Sequence, residues 1–190
     1  MWNLNLAILL RPITVLVSGK LPPSARRFLG EKYSLLEALR QGGSGSPRIV
    51  YQAGVPTFDP TDESEAIKPA FVNIERWKEG LLFRLNRQQS QAAAGIRYGD
   101  LQRIELIAFR ILTVQRRLGR ITTRIVHRGE LTFVDQLGER CPFTVPTRYF
   151  SSTLQFFQHS AFQDWFRYTV SLDPPERDIG SLAVALGDDF

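Results

Sequence analysis

The second half of the chain alternates apolar and polar positions in short segments that are separated by turn signals. Runs rich in β-branched and aromatic residues recur at 71–74, 81–85, 91–98, 102–111, 121–126, 131–134 and 141–145. Glycine- and charge-rich steps separate several of them, at 78–80, 99–100, 116–119 and 128–129. Such alternation between turn residues is typical of half-buried strands. The pattern predicts about seven antiparallel strands.

One amphipathic helix is predicted after the last of these strands, beginning near Ser152. Ser152 and Gln155 have the spacing of a capping box. Apolar residues then recur at helical intervals, at Leu154, Phe157, Ala161 and Trp165. So many aromatic residues on one stripe favour a helix that covers one end of a β-roll over a ligand cage.

The N-terminal third mixes strand and helix signals. Residues 4–17 are mostly apolar, and Arg11-Pro12 interrupts them before a signal-peptide cleavage site could occur, so we expect buried strand there. Ser34 and Glu37 form a second capping box, ahead of a helix whose apolar face would comprise Leu35, Leu36 and Leu39. Residues 42–47 form a Gly/Ser connector.

Four regions follow from this reading. Residues 1–53 are predicted to be a strand/helix extension packed on the main domain, and residues 54–68 an acidic, exposed loop that contains Asp62, Glu63 and Glu65. Residues 69–170 are predicted to be the β-roll with its C-terminal helix, and residues 171–190 a tail. The predicted class is therefore α+β.

The basic charge of the chain is concentrated in the predicted roll. The whole chain carries +5, but the segment from residue 84 to residue 128 carries +8 and the remainder carries −3. The ten arginines of that segment are Arg84, Arg87, Arg97, Arg103, Arg110, Arg116, Arg117, Arg120, Arg124 and Arg128. Guanidinium groups bind phosphates and carboxylates in a bidentate manner. A basic binding patch and a dispersed, solvated basic surface both remain open.

Nucleophilic and metal chemistry have few candidates in this sequence. The chain has one cysteine, Cys141, and two histidines, His127 and His159. One cysteine excludes an internal disulfide and fits a reducing, cytoplasmic location. Cys141 precedes a proline in an apolar strand, where a buried structural thiol is expected, and His159 is expected to be solvated. We expect no catalytic residues, metal or cofactor.

Over residues 69–168 the chain resembles bacterial pleckstrin-homology-like (PH-like) domain proteins of uncharacterised function. The residues that carry the resemblance are 96–105, where one strand steps to the next, and the helix predicted at 154–166. The resemblance implies a roll of about seven antiparallel strands capped by a C-terminal helix, and it implies no enzymatic activity.

The resemblance also directs attention to the first hairpin of the roll, where phosphoinositide-binding relatives carry a basic motif. Lys78, Arg84 and Arg87 are the matching residues here. Two residues separate the arginines instead of one, so they fall on opposite faces of a strand and depart from the family pattern. A second candidate patch comprises Arg116, Arg117, Arg120, Arg124 and Arg128.

These observations predict a non-enzymatic binding or scaffolding module that recognises a protein partner or an anionic surface, such as the membrane periphery. The alternatives are a hydrolase or transferase that uses Cys141 with a histidine, and a nucleic-acid-associated protein. Nucleic acid is less favoured, because residues 128–134 match the RNA-recognition strand only partly. Self-association through an unpaired strand edge is the remaining expectation.

Overall fold

A computed structural model describes residues 10–15, 20–40, 48–60, 69–86, 91–117 and 120–171. The described residues form one sheet of nine strands with three α-helices, so the predicted α+β class is confirmed. The strands are β1 Arg11–Ile13, β2 Ile49–Tyr51, β3 Phe71–Arg76, β4 Gly80–Asn86, β5 Gln91–Arg97, β6 Leu101–Arg117, β7 Arg120–Asp135, β8 Arg140–Val145 and β9 Phe166–Ser171. The helices are α1 Pro23–Leu29, α2 Leu35–Arg40 and α3 Phe150–Gln158.

Two antiparallel meanders are joined through the short strand β2. The strand order is β1-β5-β4-β3-β2-β8-β7-β6-β9, and every neighbouring pair is antiparallel except β6 and β9. Within β2, Val50 pairs with Phe71 of β3 on one side and with Thr144 of β8 on the other. The chain therefore builds β3–β5 and β6–β8 separately and links them through three residues.

The sheet folds over so that its two meanders face each other across the core. Phe83 of β4 and Phe133 of β7 have ring centroids 4.9 Å apart, and Phe83 stacks on Phe143 of β8 at 5.7 Å. Four strand spacings separate β4 from β7 in the order, which would be about 19 Å in a flat sheet. Contact across the core therefore requires strong coiling of the sheet.

Helix α3 covers this core, as the sequence predicts, but its bounds differ. Phe150, Thr153 and Phe157 form its buried face, and the Phe157 ring lies 5.9 Å from that of Phe133. The helix ends at Gln158, so Ala161 and Trp165 are not part of its stripe.

The chain then returns to the sheet, where the sequence predicts helix. A 3-10 turn at Ser160–Phe162 precedes β9, which runs parallel to β6 from the pair Ile104–Phe166 onwards. The Ile104 amide donates to the Trp165 carbonyl at 2.8 Å. The prediction that the helix continues to Phe166 and closes the domain is therefore wrong, because pairing with a distant strand overrides local periodicity.

Strands β6 and β7 are also longer than the sequence predicts. They pair from Leu101–Asp135 to Arg117–Arg120, and β7 passes without a turn through Arg128 and Gly129. A Cβ at Gly129 would lie 2.9 Å from Phe150 Cε2. The glycine thus makes room for the first residue of α3, and the predicted turn at 128–129 is wrong.

The N-terminal segment packs on the outer face of β4 and β5. Strand β1 pairs with β5, and Leu29 of α1 is buried with Ala93 and Trp77. A Cβ at Gly95 would lie 3.1 Å from Leu29 Cδ2. The small residues Ala93 and Gly95 on this face of β5 therefore leave room for α1.

Helix α2 begins with the predicted capping box. The Ser34 amide donates to a Glu37 carboxylate oxygen at 2.8 Å, and the Glu37 amide donates to Ser34 Oγ at 3.3 Å. Its predicted apolar face is wrong, because Leu35 and Leu36 are 75% and 68% exposed.

The region predicted as an exposed acidic loop contains a 3-10 turn at Pro56–Phe58, of which Pro56 and Thr57 are exposed. Val55 and Phe58 are fully buried, and the Tyr51 hydroxyl donates to Asp59 Oδ1 at 2.7 Å. Asp62, Glu63 and Glu65 lie outside the described residues, as do the connector at 42–47, residues 1–9 and the chain after residue 171.

Candidate functional site

The cationic residues predicted in the first hairpin are bound to acidic residues of the same chain. Lys78 Nζ lies 3.6 Å from a Glu31 carboxylate oxygen and 3.8 Å from one of Glu37. Arg84 Nε lies 2.7 Å from Glu75 Oε1. Arg87 lies outside the described residues. Lys78 thus helps to hold α2 to the β3–β4 hairpin, and Arg84 links β4 to β3.

The second predicted patch lies on a two-stranded β-ribbon that extends beyond the sheet. Strand β9 pairs with β6 only as far as Phe109, and β8 pairs with β7 only from Gly129 onwards. Among the described residues, 110–117 and 120–128 therefore pair only with each other, and we call them the basic ribbon. Eight residues of β6 give it a length of about 25 Å.

The charge of this ribbon is entirely positive. Residues 110–128 contain no aspartate, glutamate or lysine. Their arginines are Arg110, Arg116, Arg117, Arg120, Arg124 and Arg128. Glu105, near the base of the ribbon, is held by Arg103 at 2.6 Å and by Arg140 at 2.8 Å. The nearest acidic side chain of β6 is therefore already neutralised.

The strand register places four of these arginines on one face, which we call the arginine face. Arg117 pairs with Arg120, Thr113 with Arg124, and Phe109 with Arg128. Directly paired residues share a face, and so do residues an even number of positions apart. Arg120, Arg124 and Arg128 thus recur about every 14 Å along β7.

The remaining two ribbon arginines fall on the opposite face. Arg116 pairs with Ile121, and Arg110 pairs with His127. The register pair Leu112–Ile125 lies between them on that face. The predicted patch is therefore divided, with Arg116 separated from Arg117, Arg120, Arg124 and Arg128.

Arg128 lies at the base of the arginine face, where the ribbon leaves the sheet. It is half-buried, and burial lowers the pKa of its guanidinium. The next residue, Gly129, pairs with Val145 of β8. Arg128 is thus fixed by the sheet, whereas the other arginines of this face lie beyond it.

A cationic pocket that the sequence does not predict lies between the N-terminal segment and the β3–β4 hairpin. Its volume is about 670 Å³. Four cations and Glu31 line it, and the cations are Lys20, Arg26, Lys32 and Arg84. Leu21 and Trp77 supply apolar surface. Only Arg84 was a candidate from sequence, because the other cations are far apart along the chain and only the fold brings them together.

No family model, curated protein or solved structure matches this chain. None of the described helices is long and apolar enough to span a bilayer. The described ranges also contain no group of three or more His, Cys, Asp and Glu side chains that could hold a metal ion.

Cys141, the candidate nucleophile, is buried in β8. Its thiol donates to the Ala53 carbonyl at 3.5 Å, and burial raises its pKa to about 12. His127 stacks on Phe150 at 5.7 Å, and His159, which is partly exposed, has its Nδ1 3.4 Å from an Arg76 guanidinium nitrogen. A buried, protonated thiol is not the nucleophilic form of cysteine.

We expect Cys141 to resist thiol reagents in the folded protein. The rise in its pKa from 9.0 to about 12 lowers the thiolate fraction at pH 8 about 1,000-fold. The unfolded chain also loses the Cys141 thiol proton at a lower pH than the folded protein does. The contribution of Cys141 to the free energy of unfolding therefore declines as pH rises from about 9 towards 12. Reaction with Ellman's reagent at pH 8, with and without denaturant, measures the protection. Equal rates in the two conditions would contradict the burial of this thiol.

Proposed function

We propose that this protein is a non-enzymatic binding module that docks on an anionic lipid surface through the arginine face. The observation that carries the proposal is a projecting ribbon with six arginines and no acidic residue, four of them on one face. A Lys or Arg near an anionic bilayer contributes about 1 kcal/mol of attraction. Arginines that share one face of the ribbon can bind a flat membrane surface at the same time.

We also propose that the core of the fold is PH-like. Strands β2–β5 follow one another in the sheet, β6–β8 form the second meander, and α3 comes directly after β8. Seven strands followed by a helix is the order that the resemblance implies. Strand β1 at one edge and β9 at the other are additions to that order.

Lipid is favoured over nucleic acid by the apolar residues of the ribbon. The register pair Ile111–Val126 lies on the arginine face, between the pairs that contain Arg124 and Arg128. Aliphatic groups interspersed with guanidinium groups suit a bilayer interface, where the former contact acyl chains and the latter bind headgroup phosphates. Binding to a nucleic-acid backbone would use the arginines alone.

Co-sedimentation with liposomes tests this proposal. We expect binding to vesicles that contain phosphatidylserine, none to phosphatidylcholine alone, and loss of binding between about 0.05 M and about 0.5 M salt, because salt screens the attraction. Replacing Arg117, Arg120 and Arg124 with glutamine should weaken binding about 100-fold, since about 1 kcal/mol is lost for each arginine.

The matched control removes the same charge elsewhere. Arg27, Arg40 and Arg167 are exposed and lie outside the ribbon. Their replacement with glutamine should leave binding within about twofold if the ribbon is the site. Equal losses in the two triple variants would indicate net charge alone and contradict the proposal. Displacement of the protein from the vesicles by an oligonucleotide would favour nucleic acid as the ligand instead. Binding only to a protein partner would favour a protein interface.

A further inference from the structure

We propose that the cationic pocket binds a soluble phosphorylated small molecule that carries at least two negative charges. The pocket is formed by α1, the residues on either side of it, the turn between β3 and β4, and β4, and not by the strands of the basic ribbon. The site is therefore separate from the surface that carries the proposed function, and it can be tested separately.

The cationic side chains that line the pocket outnumber the carboxylates that pair with them. Lys32 Nζ lies 3.3 Å from Glu75 Oε2, and Glu75 also binds Arg84. Glu75 is thus shared between Lys32 and Arg84. Glu31 pairs with Lys78, which does not line the pocket.

Lys20 and Arg26 have no ion pair with any residue of the described ranges. Both are exposed and line the pocket. Two unpaired cations beside two partly neutralised ones attract an anion of more than one charge.

The wall of the pocket is rigid where Trp77 forms it. The Trp77 amide donates to the Gly80 carbonyl at 2.9 Å, and the Tyr98 hydroxyl donates to the Trp77 carbonyl at 3.1 Å. Trp77 also forms an isolated bridge with Lys32. The backbone of Trp77 is thereby held from three sides and lies next to that of Lys32.

The indole N–H of Trp77 is enclosed within the protein and does not reach the pocket surface. Trp77 is buried, and its Nε1–H has no acceptor among the described residues. Buried donors nearly always have a partner. This N–H is not available to a ligand, so polar recognition in the pocket rests on its cationic side chains.

The donor types and the volume define the class of ligand. Arg26 and Arg84 carry guanidinium groups, which bind phosphate oxygens in a bidentate manner, while Lys20 and Lys32 act as point charges. A volume of about 670 Å³ is within the range of small-molecule sites. It is far larger than a single phosphate needs. A phosphate ester with an organic body, such as a sugar phosphate or a nucleotide, fits both the charge and the space.

Calorimetric titration with inorganic pyrophosphate tests the charge requirement, because pyrophosphate presents several charges in a small volume. We expect binding by the wild-type protein and about tenfold weaker binding after replacement of Lys20 and Arg26 with alanine. These residues make no described ion pair, so the double variant should fold. Its circular dichroism spectrum and melting temperature, compared with those of the wild type, verify this.

The neighbouring arginine of α1 provides the control. Arg27 is exposed and does not line the pocket. Arg27→Ala should change pyrophosphate affinity less than about twofold. Equal weakening in Arg27→Ala and in the pocket variant would overturn the proposal. So would the absence of any heat of binding up to about 10 mM pyrophosphate.

A second titration distinguishes a free phosphate ester from a lipid headgroup. Dihexanoyl phosphatidic acid carries a comparable phosphate on a soluble lipid. Binding of pyrophosphate, with loss in the pocket variant, supports a soluble ligand. Binding of the lipid alone, with the same loss, would overturn that assignment. Liposome binding by the pocket variant should stay within about twofold of wild type, because the arginine face is intact.

Discussion

Replacement of Phe83 with alanine is expected to lower the free energy of unfolding by about 3–5 kcal/mol. The Phe83 side chain is fully buried and meets Phe133 and Phe143 from the opposing meander. Removal of the ring costs its transfer free energy and leaves a cavity that a folded-over sheet cannot easily close. Urea denaturation followed by circular dichroism measures this loss.

The control for this substitution is an exposed residue. Leu137 is 78% exposed in the β7–β8 turn, so Leu137→Ala should change the free energy of unfolding by less than about 0.5 kcal/mol. A double-mutant cycle on Phe83 and Phe133, with leucine at each position, should give a coupling of about 0.5–1.5 kcal/mol. A coupling of zero would contradict the contact between β4 and β7 across the core.

Replacement of Gly80 with valine is expected to lower the free energy of unfolding by about 3 kcal/mol. Gly80 pairs with Arg97 at the start of β4. A Cβ there would meet the Ile96 carbonyl oxygen and would lie 2.9 Å from Leu29 Cδ2. Because the first obstacle is backbone, no rotamer change relieves it. Strands β4 and β5 would have to move apart, and the Leu29 side chain of α1 would have to shift as well.

Gly99 is the matched control for Gly80. It is exposed in the 3-10 turn between β5 and β6, and a Cβ there would meet nothing within 4 Å. Gly99→Val should therefore change stability by less than about 1 kcal/mol. Thermal melts of the two variants give the comparison. Similar melting temperatures for both would contradict the close approach of the β5 backbone and of Leu29 to Gly80.

The first meander is predictable from sequence because its signals are local. Strand β3 alternates half-buried and buried residues, and the turn before Gly80 joins it to the apolar strand β4. The capping box of Ser34 and Glu37 marks the start of α2. The cap depends only on residues three positions apart. Tertiary packing is not needed to see either feature.

The features that the sequence reading misses depend on distant contacts. Gly129 is read as a turn because glycine usually marks one, yet here it accommodates Phe150 of α3 within a continuous strand. Phe166 continues a helical stripe, but pairs with Ile104 instead. The cationic pocket joins Lys20 and Arg84, which only the packing of the N-terminal segment on the hairpin brings together.

The three-residue strand β2 has a consequence for how the protein folds. Val50 finds its β3 partner, Phe71, 21 positions later, but its β8 partner, Thr144, only 94 positions later. During synthesis, one edge of β2 must stay without its final neighbour until most of the chain has left the ribosome. Pairing between residues that are far apart in sequence slows folding, and folding times of milliseconds to seconds are typical of such proteins. The strand that links the two meanders thus also sets the moment at which they can form one cooperative unit.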